Sequence, residues 1–247
     1  MTKLFTISLF IFTTLLLKAQ DESLELIGDR PDMTESAYTI TKGHLQFESG
    51  VDISKDAIDE TTLTYNSSLL RYGLNNKAEL RLGVELYKTF WGDYSKNLVP
   101  IYLGTKIRLV EKNGKIPQIA LIVATGAELQ KAGIRSILEL TPGAIFTFEN
   151  SLTDNISIGY NLGIEYSNLA QEITGILSAS LGIGMGEHSG VYVEAAWFPA
   201  PQTNDARFNA GITHQFSAKF QADIYGGLGL LTDSPFFNAG AGVIFLF

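Results

Sequence analysis

The chain has 247 residues, a formal net charge of −8, no cysteine and only 18% charged residues. This acidic balance argues against a nucleic-acid partner, because phosphate binding requires clustered lysine and arginine. The lack of cysteine excludes disulfides and a lipid-modified N-terminal cysteine. The 24 glycines, 15 phenylalanines and 10 tyrosines favour strands and turns.

The first 19 residues have the layout of a secretory signal peptide. Lys3 is followed by a mostly apolar run over residues 4–17, and polar sequence begins at Lys18. This run is too short for a comfortable transmembrane helix. We therefore expect residues 1–19 to be removed on export. The net charge then goes from −8 to −10, because two lysines and no acids are lost.

Residues 20–42 are charged, interrupted by Pro31 and without any period, whereas a regular pattern begins at Gly43. From there, apolar and polar residues alternate repeatedly, as in Ala78-Glu79-Leu80-Arg81-Leu82. Such alternation predicts strands with one apolar and one polar face. Strands two and five contain Leu69-Leu70 and residues 119–123, which are apolar on both faces and allow a bulge or an apolar patch in the lumen. The twelve predicted strands cover 43–53, 61–72, 77–88, 98–110, 117–128, 135–148, 155–167, 172–186, 190–199, 206–216, 219–231 and 236–247.

Two architectures fit this pattern: a soluble sandwich or barrel with its apolar face inward, and a membrane barrel with its apolar face outward. The strand length favours the membrane barrel, because about 9–11 residues cross a bilayer at a tilt, whereas soluble strands cluster near five or six. Aromatic residues also gather towards the strand ends on the apolar face, as in an interfacial girdle. They are Tyr160, Tyr166, Trp197, Phe208, Phe216, Phe237, Phe245 and Phe247.

The connections give the orientation. Those after even-numbered strands are turn-like, whereas those after odd-numbered strands are on the whole longer, as in 54–60, 89–97 and 200–205. Short turns mark the periplasmic rim. We therefore predict an all-β, closed antiparallel transmembrane β-barrel over 43–247, surrounded by outer-membrane lipid in a Gram-negative type of envelope. Its final strand ends at Phe247, and we expect the barrel-assembly machinery to recognise that strand.

The polar faces of the strands predict a charged lumen, which either filters solutes or consists of ion pairs that fill a narrow barrel. We expect residues 28–42 to fold back into the periplasmic half of this lumen as a short plug, because irregular backbone at membrane depth requires a protein or aqueous environment. The alternative is a disordered periplasmic lead-in. The predicted plug residues are Asp29, Arg30, Pro31, Asp32 and Glu35, with Asp29 or Asp32 paired to a lumenal arginine. The predicted lumen residues are Glu48, Asp52, Glu79, Arg81, Glu85, Lys106, Arg108, Glu139, Glu165, Glu194, Arg207 and Asp223.

Catalytic and cofactor signals are weak. His44, His188 and His214 are far apart and offer no metal-ligand spacing, so neither a metal nor a cofactor is expected. His188-Ser189 resembles part of the motif of an outer-membrane phospholipase, but turn chemistry explains it better. The alternating glycines at 182, 184 and 186 and at 240 and 242 predict small lumen-facing positions where another group approaches closely.

The motifs DRPDMTESAYTITKGHLQFESG (29–50), LLRYGLNNKAELRLGVE (69–85), YLGTKIRL (102–109) and FNAGAGVIFLF (237–247) resemble the meta-pathway phenol-degradation family of outer-membrane proteins. The resemblance covers essentially all of the mature chain. It implies an outer-membrane barrel for small, including aromatic or apolar, molecules. We therefore expect passive or weakly selective transport of a small solute and no enzymatic activity. The alternatives are a closed structural or adhesive barrel and, less favoured, a lipid hydrolase.

Overall fold

The computed structural model describes residues 26–31, 33–55, 60–132, 135–202, 204–231 and 237–247. The predicted signal peptide, residues 1–19, lies outside these ranges. Within the described ranges no helix has the length and apolar character needed to cross a membrane.

All regular elements of the described chain are β-strands, and each pairs antiparallel with its neighbours. The last strand, β13, pairs with β1 from Gln46↔Leu246 to Lys55↔Phe237, which closes the sheet into a barrel. The strands are β1 Leu45–Lys55, β2 Glu60–Asn75, β3 Ala78–Trp91, β4 Tyr94–Leu98, β5 Ile101–Val110, β6 Gln118–Ala132, β7 Arg135–Ser151, β8 Ile156–Ser167, β9 Glu172–Met185, β10 Ser189–Pro199, β11 Asn204–Ser217, β12 Phe220–Gly229 and β13 Phe237–Leu246.

Strands β4 and β5 together form the predicted fourth strand, so the closed wall has twelve strands, as predicted. Both pair with β3. Strand β4 pairs with the C-terminal part of β3, as in Tyr87↔Leu98, and β5 pairs with the N-terminal part of β3, as in Val84↔Ile101. The interruption falls at residues 99–100, where Pro100 has no N–H to donate to a ladder. Its carbonyl still accepts from the Glu85 N–H at 3.1 Å, which keeps the two parts in one line.

The prediction of an irregular loop over 89–97 is wrong. These residues extend β3 and β4 into a hairpin with a two-residue turn at Gly92-Asp93, where Gly92 has a φ of +55°. Because a positive φ suits glycine, this turn needs no longer loop. The aromatic residues Phe90, Trp91 and Tyr94 favour extended backbone on both sides of it.

The two ambiguous strand stretches both place apolar residues in the lumen. In β2 the register against β3 is regular at Leu69 and Leu70, and Leu69 lines a cavity of the lumen; the bulge of this strand lies upstream, between Thr64 and Asn66. In β6 the pairing with β7 is regular, and Ala120 and Ile122 are buried inside the barrel. Each stretch is therefore an apolar patch of the lumen.

The apolar face of the wall points outward. Leu80 and Leu82 are 47% and 44% exposed, whereas their neighbours Glu79 and Arg81 are 0% and 1% exposed. In a membrane protein the outer positions contact lipid, so the buried interior of this molecule is a polar lumen. At the turn end of the barrel, Phe216, Phe220 and Phe245 stack along the outer face with ring centroids 5.3 and 4.7 Å apart.

Candidate functional site

The N-terminal segment, defined as the described part of residues 26–42, lies inside the barrel. It contains no regular strand, and Ala37 and Ile40 are 0% and 1% exposed. Because buried backbone N–H groups need acceptors, those of the segment must be satisfied inside the lumen. Three wall carboxylates, those of Glu48, Glu79 and Glu194, accept five of them.

The carboxylates are distributed around the barrel. Glu48 on β1 accepts the N–H of Asp29 at 3.2 Å and that of Arg30 at 3.1 Å. Glu194 on β10 accepts the N–H of Met33 at 2.8 Å and that of Thr34 at 3.0 Å. Glu79 on β3 accepts the N–H of Ile40 at 2.7 Å. The segment is thereby attached to opposite parts of the wall and crosses the lumen.

Amide side chains add pairing of the kind that a neighbouring strand would supply. Gln46 Nε2 donates to the Ile27 carbonyl at 2.7 Å, and Gln46 Oε1 accepts the Ile27 N–H at 3.3 Å. The Asn161 side chain binds the backbone of Glu35 in the same way, accepting the Glu35 N–H at 2.7 Å and donating to the Glu35 carbonyl at 3.0 Å. Both ends of each amide are used, which fixes the position of the backbone between them.

A cluster of charges surrounds Asp29 at the centre of the lumen. Its carboxylate lies 3.0 Å from Arg71 Nη1, 2.5 Å from Arg81 Nη1 and 2.9 Å from Lys106 Nζ. Burial alone would raise the pKa of Asp29, but the three cations hold it well below its usual range. Arg81 also donates to Glu35 at 2.9 Å, yet burial raises the pKa of Glu35.

The wall and the segment have complementary charges at this depth. The wall contributes three cations, Arg71, Arg81 and Lys106, and two carboxylates, Glu48 and Glu79, so that it alone carries one excess positive charge. Asp29 and Glu35 of the segment convert this to one excess negative charge. Since unpaired buried charge is costly, the pairing of individual groups decides the effect: Lys106 Nζ lies 2.9 Å from the Asp29 carboxylate and 3.7 Å from that of Glu35, so the seated segment supplies ion-pair partners for this wall cation.

Two cavities flank the segment. The turn-side cavity, of about 570 Å³, lies at the end of the barrel with the β7–β8 and β9–β10 turns. The loop-side cavity, of about 670 Å³, lies towards the opposite end. Arg30, Pro31 and Glu35 line both cavities and therefore stand between them. The turn-side wall consists of small residues, Ser157, Gly159, Ser180, Gly182, Gly184 and Gly190.

The predicted lumen residues fall into three groups. Six are buried against the segment or the recess beside it, namely Glu48, Glu79, Arg81, Lys106, Glu194 and Asp223. Glu85, Glu165, Arg207 and Asp52 line the loop-side cavity. Arg108 and Glu139 lie apart from both groups, since Arg108 pairs with Glu111 at 3.6 Å and Glu139 accepts from Ser167 at 2.8 Å. Of the predicted plug residues, Asp29, Arg30, Pro31 and Glu35 lie in the lumen, and Asp32 falls outside the described residues.

Arg71 is the main site residue that the sequence reasoning missed. It is 0% exposed and donates five hydrogen bonds, two of them to Glu79 and two to the carbonyls of Ile27 and Tyr38. It lies in β2, where the bulge near Thr64 shifts the alternation and hides which residues face inward. Its immediate neighbours carry the signal, because Tyr72 and Leu74 lie on the apolar outer face and Arg71 falls on the opposite face.

The weak catalytic signal has a partial structural counterpart. Ser189 Oγ lies 2.8 Å from His214 Nδ1 across the β10–β11 pair, and the His214 ring contacts Phe216 edge-on at 4.5 Å. Nucleophilic catalysis also needs a group that orients the base. Within the described chain no carboxylate hydrogen-bonds to His214, and no three His, Asp or Glu residues are grouped to hold a metal ion.

Solved structures with this fold are outer-membrane barrels. An outer membrane channel from Pseudomonas putida F1 aligns with a TM-score of 0.54 and 11% identity over 93% of this chain and 100% of that one. The KdgM porin aligns with a TM-score of 0.53 and 9% identity, over 79% and 98%. The translocator domain of the autotransporter NalP from Neisseria meningitidis aligns with a TM-score of 0.53 and 11% identity, over 97% and 96%. At these identities the likeness concerns the fold alone.

No curated protein matches the sequence. The family comparison is decisive, because it covers most of the chain and includes the N-terminal segment from Gly28. Residues 28–247 match the family described as "Putative MetA-pathway of phenol degradation". The resemblance predicted from the sequence motifs is thereby confirmed, and this outer-membrane β-barrel protein belongs to that family.

Proposed function

We propose that this protein is an outer-membrane channel for passive movement of small solutes, and that its N-terminal segment acts as a plug in the lumen. The observation that carries the proposal is the pair of cavities, about 570 and 670 Å³, separated by Arg30, Pro31 and Glu35. A continuous polar route would exist but for this partition. Cavities of that size suit one metabolite-sized molecule rather than a polymer.

The lining supports a weakly selective pathway. The loop-side cavity combines the carboxylates of Asp52, Glu85 and Glu165 with Arg207 and the rings of Tyr102 and Tyr225. It can therefore contact polar groups and planar apolar groups alike. The family description mentions phenol degradation, and small aromatic solutes are accordingly part of the proposal.

The orientation belongs to the same proposal. The start of β1 and the C-terminal residue lie together at the turn end, where the Phe247 N–H donates to the Leu45 carbonyl at 2.8 Å. Export with residues 1–19 as a signal peptide would put this end in the periplasm and the β3–β4 hairpin outside. Strand β13 and Phe247 would then be the part that the barrel-assembly machinery recognises.

A closed structural barrel is the second candidate. The dense attachment of the segment, with Glu48, Glu79 and Glu194 all engaged by its backbone, favours a lumen that stays shut. The two candidates differ in conductance, since a structural barrel carries no solute in any state.

The test measures single-channel conductance in planar bilayers and swelling of liposomes in solutes of graded polarity. The full chain and a variant lacking residues 21–41 are compared. We expect solute flux through the full chain and a higher conductance after the deletion. No flux through either protein, when both are folded, would refute the channel. Equal conductance of the two would refute the plug.

A reversible disulfide between the segment and the wall tests the plug more directly. Thr34 Oγ1 lies 3.0 Å from Ser178 Oγ on β9, so cysteines at both positions are within reach of a disulfide. The natural chain has no cysteine, and the Thr34→Cys and Ser178→Cys single variants serve as matched controls. We expect oxidation to suppress wide openings of the double variant only, and reduction to restore them.

A further inference from the structure

Arg30 occupies a recess in the barrel wall where the first and last strands meet. Gly50 on β1 and Gly242 on β13 are cross-strand partners, and the guanidinium of Arg30 lies directly over both. A Cβ on Gly50 would collide with Cζ and both terminal nitrogens, and a Cβ on Gly242 would collide with Nε, Cζ and Nη2. The recess thus exists only because neither position carries a side chain.

Glycine is not required at these positions for backbone reasons. Neither residue has a positive φ, so the extended backbone there would accept alanine without strain. Glycine in a strand interior otherwise weakens the strand. The space that these two glycines leave is therefore best explained by the group that fills it.

Two further residues complete the recess. Asp223 on β12 pairs in register with Gly242, and its buried carboxylate accepts from Arg30 Nη2 at 3.3 Å. The ring of Tyr225 lies 6.0 Å from the guanidinium carbon, within reach of a cation–π contact. Charge, shape and an aromatic face all match a guanidinium.

The side chain of Arg30 is nevertheless held by fewer bonds than Arg71 at the centre of the lumen. It makes one described hydrogen bond to the wall and is 15% exposed, whereas the fully buried Arg71 donates five. Arg30 also lines both cavities. A side chain with a single described hydrogen bond therefore lies at the partition between the two halves of the lumen.

We propose that Arg30 is the latch of the channel. Seated in the recess formed by Gly50, Gly242, Asp223 and Tyr225, it fixes the upstream part of the segment across the junction of the cavities. When Arg30 leaves the recess, the cavities connect. This rests on the proposed channel function and deepens it by naming the positioning residue and its seat.

The test fills the recess from the wall and leaves Arg30 itself in place. Gly242→Ala and Gly50→Ala should each expel the guanidinium. Gly226→Ala on β12 is the matched control, because it lies on the outer face and its Cβ would meet only the Asn238 carbonyl at 3.4 Å. Heat-modifiable migration in gels verifies that each barrel is folded. An Ala37→Cys reporter, buried in the seated segment, measures release by its reaction with a water-soluble thiol reagent.

We expect the two recess variants to raise conductance and to accelerate labelling at position 37 by at least about tenfold, the effect of losing one charge-assisted hydrogen bond. Gly226→Ala should behave as the parent. In an Arg30→Ala background, Gly242→Ala should have no further effect, since the group that it displaces is already gone. Additive effects of Gly242→Ala and Arg30→Ala would overturn the latch.

The outcome separates the latch from the channel itself. If deletion of residues 21–41 raises conductance while both recess variants match Gly226→Ala in conductance and labelling, the latch is wrong and the plug stands. If the deletion leaves conductance unchanged, the plug fails irrespective of the glycine variants.

Discussion

Replacing Asp29 by asparagine should release the N-terminal segment from the lumen. The substitution keeps the size of the side chain but removes the charge that lies within 3.0 Å of Arg71, Arg81 and Lys106. Breaking a buried ion pair costs about 3–5 kcal/mol, because the partner is left uncompensated. The environment of each cation decides where in this range the cost falls.

Two of the three cations keep good partners without the Asp29 charge. Arg71 retains Glu48 at 3.1 Å and Glu79 at 2.9 Å, and Arg81 retains Glu35 at 2.9 Å. Among the described residues, Lys106 keeps the Ser36 carbonyl at 2.8 Å and Glu35 at 3.7 Å. The loss therefore falls mainly on one cation, and we expect about 3 kcal/mol, roughly a hundredfold shift from the seated to the released segment.

The Ala37→Cys reporter and single-channel recording measure this shift. Asp29→Asn should increase the labelling rate and the time spent in openings of high conductance, whereas the same change at Asp93, exposed in the turn of the β3–β4 hairpin, should alter neither. A folded Asp29→Asn barrel that labels and conducts like the parent would show that the charge cluster does not retain the segment.

Three further outcomes are expected. The pKa of Asp29 is depressed only while the segment is seated. Ionised Asp29 therefore stabilises the seated state at pH values above its usual pKa of 3.8. That contribution is lost on acidification, so conductance should rise below about pH 4, and Asp29→Asn should lack this step. Burial raises the pKa of Glu35 in the seated segment, so ionisation of Glu35 disfavours the seated state and conductance should also rise at higher pH. A conductance that does not change with pH would contradict both expectations. Glu194→Gln weakens the acceptor of the Met33 and Thr34 N–H groups by about 1.5–3 kcal/mol and should accelerate labelling of the Ala37→Cys reporter; unchanged labelling would contradict this. Leu82→Arg on the lipid face should lower the free energy of unfolding by about 2–4 kcal/mol in lipid vesicles, whereas Leu82→Met should not; equal denaturation midpoints would argue against the outward assignment.

The strands could be predicted closely because lipid on one side and a polar lumen on the other impose strict alternation. Residues 78–87 show this, since their period indicates where β3 begins and the inward direction of Glu79 and Arg81. Alternation fails where a bulge inserts a residue. That is why Arg71, beyond the Thr64–Asn66 shift of β2, was missed.

The course of the N-terminal segment was predictable only in outline. Its charge and its proline pointed to the lumen and to pairing of Asp29 with an arginine, but an irregular backbone has no period from which partners follow. The wall groups that it contacts lie between 18 and 193 residues away in sequence, from Glu48 to Asp223. Only the closed barrel brings such groups to the same place.

These long separations bear on the order of assembly. The segment is the first described part of the chain to be synthesised, yet its seat requires β1, β3, β10 and β12 to be in position together. Its complete set of contacts can therefore form only when these strands have assembled. Part of the wall is prepared for that step, since Arg71 pairs with Glu48 and Glu79 of the two neighbouring strands and Arg81 pairs with Glu79 of its own strand. The contacts that hold the segment thus depend on the wall, whereas these ion pairs of the wall do not depend on the segment.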